Sequence, residues 1–119
     1  MLTPLLQLAK KLRQECPWDK ELTLEKIPPM LIEEAQELLQ EIKKEDWPAM
    51  KAEVGDVLFN LLMLITIAEE KGHFTAEEVV AACEEKIISR HTWVFGGDKA
   101  TTPEEALALW KENKKKEKA

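Results

Sequence analysis

No tyrosine occurs in this sequence, glycine occurs only four times, and β-branched residues rarely cluster. Strands draw on aromatic and β-branched residues and on glycine-rich turns, so a sheet has little to be built from and the chain reads as all-α. Cysteine is scarce too. Cys16 and Cys83 have neither a histidine nor another cysteine at metal-ligand spacing, which argues against a zinc site and reads as two reduced thiols of a cytoplasmic protein. Long apolar runs are missing: the longest uncharged stretch, residues 57–68, is too short to span a bilayer. Lys10 and Lys11 lie at the wrong end of the first segment for a secretory signal. Positive charge is in deficit as well, 17 Lys and Arg against 23 Asp and Glu for a net charge of −6. That balance argues against a nucleic-acid polymer as partner, for which a basic surface is expected, and suits a metal site. Of the two histidines, His73 adjoins a glycine and His91 falls at a helix end. Both read as structural.

What is present is a soluble helical composition, 45% hydrophobic and 34% charged, in 119 residues. That is enough for one domain with a real core and too little for two. The chain centres on residues 33–56. Glu34, Glu37 and Glu41 share one helical face, and Glu53, Asp56 and Asn60 repeat the same i, i+3, i+7 spacing on the next helix. Between Val54 and Ala68 the only ionisable residue is Asp56, and apolar residues occupy nearly the whole circumference. This helix is therefore expected to be buried. A buried carboxylate needs a partner or a cation, and the helix itself offers no Lys or Arg between those residues. A hard, oxygen-loving ion, Mg²⁺ or Mn²⁺, is the natural filler. Glu33, Glu34 and Glu37 on their own also fit a solvated helix face; Glu53 and Asp56 fit that reading much less well.

In chain order, Thr3-Pro4 starts a first helix with Thr3 as its cap, and the helix stops before Cys16-Pro17. A turn at Cys16-Pro17-Trp18-Asp19 and an irregular link lead to Pro28-Pro29. Trp18 either covers the core or offers a flat apolar face to a ligand. A second helix runs from about 29 to 43 or 44. The third is capped by Asp46 and ended by Gly72, and the fourth is opened by the capping box Thr75-Ala76-Glu77-Glu78 and ends near 91. On the fourth helix Lys86 and Arg90 continue the stripe of Val79 and Cys83, which fits a salt-bridged solvated face as well as a binding role. A loop with aromatic anchors, Trp93 and Phe95, precedes a short fifth helix begun by Thr102-Pro103-Glu104-Glu105 and reaching Trp110. The basic tail, 114–119, is expected to fray.

Three segments together resemble the MazG family of all-α nucleoside triphosphate pyrophosphohydrolases, over residues 12 to about 114. They are Leu12-Arg13-Gln14-Glu15-Cys16-Pro17-Trp18-Asp19, the acidic pattern Glu33-Glu34-x-x-Glu37 with Glu53-x-x-Asp56, and Lys86-Ile87-Ile88-Ser89-Arg90-His91-Thr92-Trp93-Val94-Phe95-Gly96. The resemblance implies a four-helix-bundle-like core with a short C-terminal fifth helix, in one domain over 1–119. It implies that Glu34, Glu37, Glu53 and Asp56 ligate Mg²⁺ with Glu33 and Asn60 nearby, that Lys86 and Arg90 hold phosphate oxygens, and that Trp110 and Lys114 contact the nucleotide. The implied reaction is hydrolysis of a nucleoside triphosphate between the α and β phosphates, by a homo-oligomer, a dimer or tetramer. The chain departs from the family pattern at Leu22, where Gln is common, and at Thr92-Trp93, where Pro-His is common. Both lie outside the acidic motif and bear on base preference rather than on reaction type.

Two other classes compete. A ferritin-like carboxylate metal protein would want a Glu-x-x-His pair on two helices, and none of Glu33, Glu34, Glu37 and Glu53 has a histidine three residues on. A non-enzymatic helical adaptor has no use for carboxylates on an apolar helix.

Overall fold

The computed structural model describes residues 2–118, and every regular element among them is helical. The all-α expectation holds. In chain order the helices are α1 (Thr3–Glu15), α2 (Pro17–Lys20), a 3-10 turn (Leu24–Lys26), α3 (Ile27–Lys43), α4 (Trp47–Glu70), α5 (Ala76–Arg90), α6 (Thr92–Phe95) and α7 (Pro103–Lys118). The chain divides into two compact units, the first ending at Ala76 and the second beginning at Glu77.

In the first unit α4 packs against both α1 and α3. Ala9, Leu22, Ile27, Met63 and Ile67 form its buried cluster, with Leu12, Leu31 and Phe59 against it. Trimming Ile27, Met63 or Ile67 to alanine removes a fully buried side chain and costs about 2 to 5 kcal/mol. Leu22, one of the departures from the family pattern, is thus a packing residue. The chain enters the core because Pro17 forces Cys16 out of the helical region, to φ −93° and ψ 120°, which ends α1. The irregular link expected after it is instead two short helical turns, α2 and the 3-10 turn, and α3 starts at Ile27 rather than Pro29, since two prolines are tolerated in a first turn. Thr3 is the first helical residue of α1 and not its cap; Leu2 stands there without a side-chain cap bond.

The turn between α3 and α4 sets the site. Glu45 takes φ 55°, and the bonds Asp46 N–H to Glu41 O and Glu45 N–H to Ile42 O, both 3.1 Å, close α3 in a Schellman motif usually given to glycine. Asp46 then accepts from Ala49 N–H at 3.1 Å as the expected cap of α4. The far end of α4 closes in the same motif around Gly72 at φ 74°, with His73 N–H on Ala68 O at 3.0 Å. Glu69 there accepts from Ala76 N–H at 2.7 Å as α5 begins.

Burial of α4 differs from the expectation. Leu62, Met63, Thr66, Ile67 and Ala68 are buried, but Trp47, Val54 and Leu61 are exposed, the last two at 44% and 43%. One chain covers only the C-terminal half of this helix, and α3 likewise leaves Ile32, Leu39 and Ile42 in solvent.

In the second unit α6 packs on α7, and α7 extends as helix through Lys118, well past Trp110 and through the tail expected to fray. Its start is secured by Thr102, whose hydroxyl accepts from Glu105 N–H at 3.2 Å, while the Glu105 carboxylate turns to Thr101 N–H at 2.9 Å instead of closing a reciprocal box. Glu117 is anchored near its end by Arg90 and Ser89.

Arg13 joins the pieces of the first unit. Its Nη1 donates to the carbonyls of Asp19 and Leu22, and its Nε and Nη2 donate to Glu70 at 2.8 to 3.2 Å, with the side chain only 13% exposed. Arg13→Ala strands two partly buried carbonyls and a carboxylate, and is expected to cost about 2 kcal/mol. Lysine at this position recovers little of it, because one ammonium cannot reproduce the fork. Urea unfolding checks both, and an unchanged midpoint for the alanine variant removes the clamp.

Candidate metal and nucleotide site

A hairpin of α3 and α4 brings the two acidic patterns face to face. Glu34 and Glu37 stand one turn apart on α3, Glu53 stands in the second turn of α4, and each offers an oxygen within 4.8 Å of the others. Glu34 and Glu53 are half-buried and Glu37 is exposed. Asp56 is exposed, and the structure does not bring it into this trio, although its charge still acts on Glu53. Asn60 is half-buried one turn further along, and Glu33 shares an open hollow of about 440 Å³ with Glu37, Gln36 and Gln40.

The electrostatics follow from this crowding. The Glu53 carboxyl is pushed up from 4.5 to about 7, first by a hydrogen bond with Glu34, then by desolvation and by the charges of Glu34, Glu37 and Asp56. Its Oε1 is buried and has no hydrogen-bond partner. Three convergent carboxylates, one with an orphaned oxygen, suit a hard divalent cation in chemistry and spacing.

The second unit carries the cations. Lys86 and Arg90 are one turn apart on α5. Lys86 is exposed, whereas Arg90 is bound to Glu117, with Nε donating to both carboxylate oxygens at 3.1 Å and Nη2 to Oε2 at 2.9 Å. For Arg90 the salt-bridge alternative therefore has a definite partner. Trp110 is half-buried, its ring 5.2 Å from the Arg90 guanidinium and 5.1 Å from the Lys114 ammonium. In the first unit Trp18 is 61% exposed, so it does not cover the core.

Two participants, Asn113 and Glu117, were not evident in the sequence. Asn113 is buried and donates to Arg90 O at 3.0 Å and to Thr92 Oγ1 at 2.9 Å, fixing the chain where α5 ends. Asparagine three residues beyond Trp110 inside a Lys-rich and Glu-rich helix was its only signal. Glu117 looked like part of a solvated tail. His91 and Trp93, 4.9 Å apart, line a hollow of about 470 Å³ with Pro103, Ala106, Leu107 and Trp110, and the His91 ring Nδ1 meets Ile87 O at 2.6 Å.

Comparison with known proteins decides the family. The sequence pattern of the MazG nucleotide pyrophosphohydrolase domain matches residues 22–95, more than half of the chain. The chain belongs to the MazG family. It is 37% identical over 118 residues to the nucleoside triphosphate pyrophosphohydrolase of Escherichia coli K12, covering 97% of this chain and 45% of that protein. It is 39% identical over 116 residues to the nucleoside triphosphate pyrophosphohydrolase/pyrophosphatase MazG of Thermotoga maritima, covering 96% of this chain and 44% of that one. This MazG chain thus spans less than half the length of these relatives. The crystal structure of a MazG-related protein from Thermotoga maritima has the same fold, with a TM-score of 0.81 at 28% identity over 95% of this chain and 98% of the other. Among the described residues no helix is long and apolar enough to cross a membrane.

The raised Glu53 carboxyl has a definite pH signature. Because the folded value of about 7 exceeds the ordinary 4.5, the stability contributed by the protonated form is full below about pH 4.5 and is lost as pH rises through 7. Glu53→Gln keeps a hydrogen-bond donor and removes the titration. In EDTA the variant is expected to melt above the parent at pH 8, the gap closing towards pH 5. Parallel melting curves across that range would show that the three carboxylates do not share a proton.

Proposed function

We propose that this MazG chain hydrolyses nucleoside triphosphates between the α and β phosphates, releasing a nucleoside monophosphate and pyrophosphate, with Mg²⁺ held by Glu34, Glu37, Glu53 and Asp56. The observation that carries the reading is the orphaned Glu53 oxygen inside a trio of carboxylates, in a chain of this family. Asp56, one turn beyond Glu53 and outside the trio, would be the fourth donor, with Glu33 and Asn60 nearby. Mn²⁺ is the substitute that the oxygen-only donors favour.

When bound, the metal supplies charge neutralisation for the triphosphate and Lewis-acid activation of the attacking water. The chain supplies the rest. Its carboxylates fix where the cation sits, and Lys86 and Arg90 hold phosphate oxygens as negative charge develops on the leaving pyrophosphate. Trp110 seats Arg90 and Lys114 on its ring, so its part in nucleotide binding runs through the two cations as well as through any base that stacks there. The exposed Trp18 offers a further flat surface to the nucleotide.

The match over residues 22–95 runs from the first unit into the second, which supports treating 1–119 as one functional domain. Exposed Ile32, Leu39, Val54 and Leu61 recur at a seven-residue spacing on α3 and α4, and they support a homo-oligomer, a dimer or tetramer, in which a second copy covers them. The two free thiols and the absence of a membrane-crossing helix among the described residues agree with a cytoplasmic enzyme of nucleotide-pool housekeeping. The net charge of −6 agrees with a free nucleotide, and not a nucleic-acid polymer or a membrane surface, as partner.

Pyrophosphate release from a panel of ribo-, deoxy- and oxidised nucleoside triphosphates, with Mg²⁺ and without it, tests the reaction. Glu53→Gln and Asp56→Asn are each expected to lower the rate by much more than tenfold, a barrier change above about 1.4 kcal/mol. Metal-independent turnover, or a variant keeping a tenth of the rate, would exclude the ligand role. Lys86→Ala and Arg90→Ala are expected to raise KM or lower kcat while Mg²⁺ binding, followed by calorimetry, stays unchanged. Parent-like kinetics in both variants would leave Lys86 and Arg90 as surface ion-pair residues.

A further inference from the structure

The second unit holds an arginine whose strongest edge is already taken. Arg90 presents Nε and Nη2 to Glu117 in a bidentate pair at 2.9 to 3.1 Å, and only 13% of its side chain is exposed. Glu117 also accepts from Ser89 Oγ at 3.0 Å. These donors, Arg90 first, hold the Glu117 carboxyl below its ordinary range, with the charge of Lys86 adding to the effect. Among the described residues the other contacts of Arg90 do not involve an anion. Its guanidinium lies over Trp110 at 5.2 Å, and its backbone carbonyl is fixed by Asn113 at 3.0 Å.

We propose that Glu117 is a positioning residue that occupies Arg90 in the nucleotide-free protein, on the guanidinium edge that two phosphate oxygens would take, so that a triphosphate binds by displacing it. This rests on the reading that Arg90 holds phosphate. A carboxylate and a phosphate offer the same pair of acceptor oxygens to an arginine fork, and two anions cannot share one edge without repulsion. Displacement is cheap because the Glu117 side chain is 32% exposed, so that water screens its pair with Arg90. Trp110 and Asn113 keep the arginine in place when the carboxylate leaves, so the exchange changes the partner of Arg90 and not its position. The affinity of the site for triphosphate is then set partly by a residue that touches no substrate.

The test measures dissociation constants of a non-hydrolysable α,β-methylene nucleoside triphosphate and of inorganic tripolyphosphate, with Mg²⁺, from intrinsic tryptophan fluorescence. Glu117→Gln is expected to tighten both by about three- to fivefold, the upper part of the range that a partly exposed ion pair spans, and to lower KM with kcat unchanged. Glu117→Asp keeps the charge but shortens the reach, and is expected to shift affinity in the same direction. Glu112→Gln removes the same charge from an exposed position on α7 and is expected to stay within about twofold of the parent. In an Arg90→Ala background the Glu117→Gln effect should vanish. Arg90→Ala that weakens binding, beside Glu117→Gln that leaves it unchanged or weaker, overturns the proposal while keeping phosphate on Arg90. Equal tightening by Glu112→Gln overturns it in favour of general charge. Arg90→Ala with undiminished affinity overturns the phosphate role and the proposal together.

Discussion

Like-charge crowding on the α3–α4 hairpin is the constraint from which the rest of the chain takes its sense. Three carboxylates with oxygens within 4.8 Å of one another repel unless something positive lies among them. The hairpin nonetheless fixes them there: a Schellman turn with Glu45 in a left-handed conformation closes one helix, and the Asp46 cap opens the next within three residues. A fold that only needed to be stable would place these charges apart. Glu53 shows the tension most clearly, since its carboxyl is pushed up to about 7 and one of its oxygens is buried without a partner.

Stability is supplied away from that site. The buried side chains of α4 lie towards its C-terminal end, around Met63 and Ile67, and Arg13 ties the links after α1 to the end of the same helix. One helix thus has a packed end that anchors it and an open end that carries the carboxylates. The open end keeps Val54 and Leu61 in solvent beside the carboxylates. Covering them with a second copy would lower the local dielectric around Glu53 and strengthen its demand for a cation.

The sequence was most legible where one residue type dictates one geometry. Pro17 ended α1, Asp46 capped α4, Gly72 closed it, and the i, i+3 spacing of Glu34 and Glu37 put both on the face that meets Glu53. It was least legible where tertiary partners decide. Circumferential apolarity made α4 look wholly buried, because periodicity reports what a side chain prefers and not whether a neighbour exists to cover it. The C-terminal residues 114–118 looked like a fraying tail because helix propensity and charge say nothing of a distant arginine able to hold Glu117. Leu22 read as a change in base preference, yet it is a core side chain; a departure from a family pattern carries no label for packing.

Two arginines show how one side chain takes opposite roles from its surroundings. Arg13 and Arg90 are equally sheltered and each binds a glutamate through the Nε and Nη2 edge. Arg13 also directs Nη1 into two backbone carbonyls, acceptors that belong to the fold and leave only when the link after α1 unfolds. Arg90 adds the face of Trp110, an attraction that is indifferent to which anion sits on the guanidinium edge. An arginine tied to backbone is committed to structure, whereas one tied to a ring and a partly exposed carboxylate can change its anion without disturbing the chain. The difference lies in the partners, which a lone Arg in a sequence does not disclose.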